Sequence, residues 1–181
     1  MRLCLTALKC AIITCGLVCA TSGVCGQTQE ILWSALRPAN QGPSDPFSGV
    51  AKPGPGGETL PWNHDRTVVE LSGFVLPIDS EGDLVYEFLL VPVAGACSHM
   101  PAPPANQIVH VFPKTPLHIT KSYEFVSITG ALRPGLDESQ LFVVDGVKVV
   151  EYGYSMRQAQ VTKQTERRDP SLKGMSAWSF L

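Results

Sequence analysis

From Val69 to Tyr154 the apolar residues recur with a period of two, and no stretch among them repeats with the period of a helix. In extended backbone alternate side chains point to opposite faces, so this pattern lays down strands and excludes a helical bundle or an alternating helix–strand fold. Val69, Leu71, Gly73 and Val75 alternate with Glu70, Ser72 and Phe74, and Pro77-Ile-Asp-Ser-Glu-Gly-Asp punctuates before Leu84–Val91 resumes. That second strand is apolar on both faces apart from Glu87, which predicts a central place covered from two sides. Gln107–Phe112 is predicted as a third strand and Tyr123–Leu132 as a fourth, with Gly130 suited to a bulge. Leu141–Val144 and Val147–Tyr154 read as a hairpin about Asp145-Gly146, a pair that adopts the positive φ of a tight turn. Five to six short strands with no helix between them predict an all-β domain, a small antiparallel barrel or sandwich.

The ends of the chain differ from this middle. Residues 1–26 have the layout of a signal peptide: Arg2 and Lys9, an apolar run from Cys10 to Ala20, then small residues, with a cut expected after Gly26. The alternative cut, after Ser22, keeps Cys25 and leaves a Cys25–Cys97 bridge conceivable. The run is too short to span a bilayer and no later stretch approaches that length, so no transmembrane span is expected once the signal is removed. Val24 before Cys25 and Val18 before Cys19 make lipid anchoring the lesser alternative. Residues 27–62 open with a short helix or turn carrying Trp33. They continue as a Pro/Gly-rich extension, with six prolines and five glycines between Arg37 and Trp62. The domain proper is expected over residues 63–161, followed by a polar tail at 162–181 that ends in Met175-Ser-Ala-Trp-Ser-Phe-Leu.

Removal of residues 1–26 takes five of the six cysteines and leaves 12 basic against 16 acidic residues, net −4. An acidic chain lacks the cationic surface that displaces counterions from phosphates, so no nucleic acid is expected as a partner. One cysteine, Cys97, remains, and one cysteine makes no internal disulfide. It sits in the densest segment of the chain, Val91-Pro-Val-Ala-Gly-Ala-Cys-Ser-His-Met-Pro-Ala-Pro-Pro-Ala-Asn-Gln-Ile-Val. In extended backbone Cys97 and His99 project to one side, and Pro101, Pro103 and Pro104 preorganise the far side of the segment.

Four readings stay open for this segment. As a metal site, Cys97 and His99 supply two donors for Zn, or for Cu with Met100, and His110, His64, His118 or a carboxylate has to complete the set. As an enzyme, Cys97 is a nucleophile with His99 or His110 as base; the absence of a helix terminus to lower the thiol pKa makes an enzyme the disfavoured class. As a redox site, Cys97 lacks a resolving partner. As plain packing, Cys97 is a small buried hydrophobe, His110 a satisfied core histidine on one strand face with Ile108 and Phe112, and His64 and His118 are surface residues.

Phe88-Leu-Leu-Val-Pro, Gly95-Ala-Cys-Ser-His, Pro103-Pro-Ala-Asn-Gln-Ile-Val, Leu71-Ser-Gly-Phe-Val-Leu-Pro and Gly153-Tyr-Ser-Met together resemble the DUF3299 family of uncharacterised bacterial exported proteins, over roughly Thr67 to Val161. The resemblance implies a small barrel similar to the oligonucleotide/oligosaccharide-binding type (OB-like). It also implies export, and because some members are encoded beside ABC-type export systems and zinc-responsive genes, it implies a periplasmic accessory role in metal or envelope transport. The family pattern falls on Gly95, Cys97, His99, Pro103, Pro104, Asn106 and Gln107, and it does not include His110. Ala102 and Ala105 interrupt a proline run that is longer in the family.

The expectation is therefore a periplasmic or secreted small binding protein, metal-binding through Cys97 and His99 with Zn or Cu, or accessory to an envelope ABC-type transport system. The binding loop comprises Gly95, Pro103, Pro104, Asn106 and Gln107. The alternative is an interaction module whose Pro-rich loop docks on an envelope transporter or other periplasmic protein, with Cys97 and His99 purely structural.

Overall fold

The computed structural model describes residues 28–39, 60–64, 67–97, 101–121, 123–143 and 146–164. The expected signal peptide, most of the Pro/Gly-rich extension, His99 and nearly all of the tail lie outside them. The elements are β1 (Gln29–Glu30), a 3-10 turn (Trp33–Leu36), β2 (Val68–Glu81), β3 (Leu84–Val91), a second 3-10 turn (Ala105–Gln107), β4 (Val109–Pro113), β5 (Leu117–His118), β6 (Phe125–Val143) and β7 (Gly146–Lys163). The protein is all-β. Among the described residues no helix is long and apolar enough to cross a membrane.

The seven strands form one sheet in the order β1-β2-β6-β7-β4-β3-β5, and β2 also pairs with β3. The sheet is mixed, which corrects the expectation of a wholly antiparallel one: β4 runs parallel to β7, and β1 to β2. Parity requires the first of these. β2, β3 and β4 alternate in direction, β6 is antiparallel to β2 and β7 to β6, so β4 and β7 point the same way when they meet. β3 is bonded to β2, β4 and β5, the central place that its two-sided apolar sequence predicts.

Several expected boundaries move. The expected loop over residues 77–83 is mostly strand: β2 continues to Glu81, paired with β3, and only Gly82-Asp83 turn. The predicted fourth strand and the first half of the hairpin are one 19-residue strand, β6, which absorbs Pro134 and Gly135 at a register irregularity between Pro134 and Asp137. A second irregularity, between Thr129 and Leu132, places Gly130 in the bulge that its sequence suits. The predicted third strand starts at Val109 instead of Gln107, because Gln107 and Ile108 donate their backbone N–H groups to Pro104 and Ala105 and close a 3-10 turn.

Alternation places two apolar clusters on opposite faces of the sheet. The larger is built from residues such as Leu71, Val75, Phe88, Val109, Ile128, Tyr154 and Met156, and it takes in Ile31, Trp33 and Leu36 from the chain between β1 and β2. The second holds Leu76, Leu89, Cys97, Ile108, Leu141, Val150 and Tyr152. Its cover is the far part of β6–β7, a two-stranded arm in which Asp137 pairs with Tyr152 and Val143 with Gly146.

Candidate functional site

The segment between β3 and β4 is built inward. Gly95 has φ +87°, a left-handed conformation natural to glycine, and Cys97 follows with φ +67°, unusual for a residue with a Cβ. Cys97 is 1% exposed and packs in the second cluster. Burial pushes its thiol up to about 11, against a weaker downward pull from Lys148, whose Nζ donates to the Cys97 carbonyl at 3.0 Å. The thiolate that metal binding or nucleophilic attack needs is thus disfavoured at this position. Among the described residues no three His, Cys, Asp or Glu side chains come together as a metal site.

The chain surfaces at Pro101 and Ala102, is half-buried at Pro103 and Pro104, and is buried again from Ala105 to Gln107. Gln107 Nε2 donates to the backbone oxygens of Trp33 at 3.1 Å and of Asn106 at 3.0 Å, and the Trp33 indole donates to the Ser72 carbonyl at 2.7 Å. Gln107 therefore ties the first 3-10 turn to the sheet. Gly153 serves the same packing: a Cβ there would lie 2.9 Å from the Ala105 carbonyl oxygen and 2.5 Å from Leu60 Cδ2. Two distant pieces of the sequence pattern, Pro-Pro-Ala-Asn-Gln and Gly-Tyr-Ser-Met, meet at this contact.

A second polar cluster lies on the face that carries Cys97. His110 Nε2 is 2.5 Å from Glu87 Oε1, across β4 and β3, while His110 Nδ1 is buried without a hydrogen bond. The His110 ring stands 4.5 Å from both the Phe112 and Tyr152 rings, Tyr152 donates to Asp137 Oδ2 at 3.2 Å, and the Arg157 guanidinium lies 4.4 Å from the Phe112 centroid. Burial holds His110 below its ordinary value, with Glu87 and Asp137 opposing and Arg157 adding to the shift. Neutral His110 donating to the Glu87 carboxylate accounts for the geometry; the pair braces β3, β4 and the base of the arm. Burial and Asp137 together raise the Tyr152 hydroxyl.

The sequence points to Glu87 only as the charged residue of an apolar strand, and to Asp137, Lys148 and Tyr152 not at all. His64 and His118 are exposed as expected, His64 edge-on to Trp62 and His118 3.7 Å from Asp83.

This buried pair makes stability depend on pH. A buried histidine whose folded pKa is depressed binds fewer protons than the unfolded chain, so stability is full above the ordinary histidine value of about 6.5 and declines as pH falls below it. In Glu87→Gln the group that opposes burial is gone, and the acid loss is expected to deepen. Urea unfolding from about pH 7.5 to about pH 5 checks this; a variant with a flatter profile than the parent contradicts it.

The family model for a protein of unknown function (DUF3299) matches residues 58–163. A crystal structure of a DUF3299 family protein from Pseudomonas aeruginosa PAO1 is similar at 29% identity with a TM-score of 0.58, covering 78% of this chain and 99% of that one. No curated protein matches.

Proposed function

We propose, from the premise that the chain belongs to the DUF3299 family of proteins of unknown function, that it is an exported, non-catalytic interaction module whose Pro-rich loop docks on an envelope partner. The observation that carries this is the division of labour in the signature segment. Cys97, Asn106 and Gln107 are 1%, 0% and 3% exposed and serve the scaffold, while Pro101 and Ala102 face solvent beside half-buried Pro103 and Pro104. A proline-rich loop held at both ends loses little conformational entropy on binding, which favours recognition by shape.

The cyclic set of pairings, β2–β3–β4–β7–β6–β2, with its single parallel step, supports reading the domain as a small OB-like barrel. The layout of residues 1–26 supports export to the periplasm, and a component of an ABC-type transport system or another periplasmic protein is the class of partner meant. The rival reading, Zn or Cu held by Cys97 and His99, needs a third donor and a deprotonated thiol. The buried, proton-retaining Cys97 favours the interaction reading.

The test is cross-linked capture from the cell envelope. Pro103→Ala/Pro104→Ala is expected to lose the partner while melting within a few degrees of the parent, because alanine keeps the Pro104 carbonyl that accepts from Gln107 at 2.8 Å. Cys97→Ala is expected to lose about 1 kcal/mol of stability and keep the partner.

A further inference from the structure

The arm made by the far ends of β6 and β7 buries one face on the second cluster, and among the described residues nothing covers the other. On the uncovered face Phe142 opposes Val147, Gln140 opposes Val149 and Glu138 opposes Glu151. Phe142, Val147 and Val149 are 71%, 54% and 62% exposed. Like charges directly opposite on neighbouring strands repel, and among the described residues neither Glu138 nor Glu151 has a cation partner. The face thus presents an apolar end and, about 13 Å along the strand, a doubly acidic end.

Its size restricts the occupant. Three apolar side chains offer a few hundred Å² at most, well short of the roughly 1,000 Å² that two folded faces need for a stable complex, so the patch fits a short segment. The sequence contains a segment with the complementary order, a cation followed by an apolar run: Lys173-Gly-Met-Ser-Ala-Trp-Ser-Phe-Leu181, preceded by Arg167 and Arg168.

Reach decides which copy supplies it. The nine steps from Gln164 to Lys173 span at most about 30–32 Å. The 12 steps along β7 from Glu151 to Lys163 cover up to about 40 Å, more than that reach, so docking on the chain's own arm lies at or beyond the limit of the connection. A second copy imposes no such limit, and reciprocal exchange closes with two-fold symmetry.

We propose that Lys173–Leu181 of one copy docks on the arm of a second copy, Lys173 against the Glu138/Glu151 pair and Met175–Leu181 over Phe142, Val147 and Val149, in a reciprocal exchange of tails. This exchange is independent of the docking role of the Pro-rich loop.

Light scattering on the purified full chain in reducing buffer, over a wide concentration range, tests it. The mass should rise from monomer to dimer with concentration and the dimer should weaken as salt is added. A chain ending at Gln164 and the variant Phe142→Ser/Val149→Ser should both raise the dimer Kd by at least about tenfold, with the strand signal in circular dichroism unchanged. Glu151→Lys should lose the dimer and Glu151→Lys/Lys173→Glu should recover it, a rescue that a folding defect does not produce. A full chain that stays monomeric throughout, a dimer that survives loss of the tail, or a charge swap that fails to restore the dimer overturns the proposal.

Discussion

Trp33→Ala is expected to destabilise the protein by about 3–5 kcal/mol, a large share of the roughly 5–15 kcal/mol that holds a domain of this kind together. Trp33 precedes β2 by more than thirty residues, yet it is 1% exposed and packs with Leu36, Leu71 and Leu90 in the larger cluster. A Cβ placed on Gly73 would come within 3.0 Å of its Cζ2 atom, and the indole N–H bonds the neighbouring Ser72 carbonyl, so an edge of the ring abuts the β2 backbone where only a hydrogen fits. Truncation opens a cavity and orphans one partner, the Ser72 carbonyl, while the Gln107 amide keeps the main-chain oxygen of residue 33. Trp33→Phe keeps most of the volume and loses the indole bond, at a cost of about 1 kcal/mol. Urea unfolding of the two variants measures both. A cost below about 1 kcal/mol for alanine would mean that the first 3-10 turn is not part of the folded core.

Cys97 is expected to resist iodoacetamide in the folded protein and to react on unfolding, with the two rates separated by at least about 100-fold at pH near 7.5. Two factors multiply. A thiol held at about 11 is ionised to only a few parts in ten thousand at that pH, against about a tenth for a free cysteine. The sulfur also lies in a side chain 1% exposed, roofed by Leu141 and Val150 from the arm. Mass spectrometry of the alkylated protein with and without denaturant reads the ratio. Fast labelling of the folded chain would make the thiol a reactive group and restore the enzyme and redox readings with it.

The strands were legible where local pattern decides them. β2 and β3 follow from alternation, although the punctuation at residues 77–81 proves to be strand and only Gly82-Asp83 turn, and the bulge at Gly130 follows from glycine's freedom. What the pattern misplaced depended on partners far off in the chain. Pro134-Gly135 looks like a turn, but β6 continues through it because β7 pairs on both sides of the irregularity. Gln107 looks like the first residue of a strand, but its amide is claimed by Trp33, 74 residues earlier, and its N–H by Pro104. Gly146, expected in the hairpin turn, pairs with Val143 and belongs to β7, while Val144 and Asp145 lie outside the described residues.

The candidate site divides in the same way. Its position in the segment Gly95–Gln107 was readable from unusual composition, because a lone cysteine among glycine and prolines has no counterpart elsewhere in the domain. Which of those residues face inward was not, since that depends on the arm closing over Cys97 and on the first 3-10 turn docking against Gln107. The Glu87–His110 contact joins residues 23 apart and exists only in the register that sets β4 beside β3.

The most direct test of the central claim, that the signature segment spends its sulfur and amides on the scaffold and offers its prolines to a partner, is the ratio of captured partner in the two variants. Near-parental capture by Cys97→Ala, with little or none by Pro103→Ala/Pro104→Ala at matched folded protein, is the predicted result. Capture lost in Cys97→Ala and kept in the proline variant would contradict it.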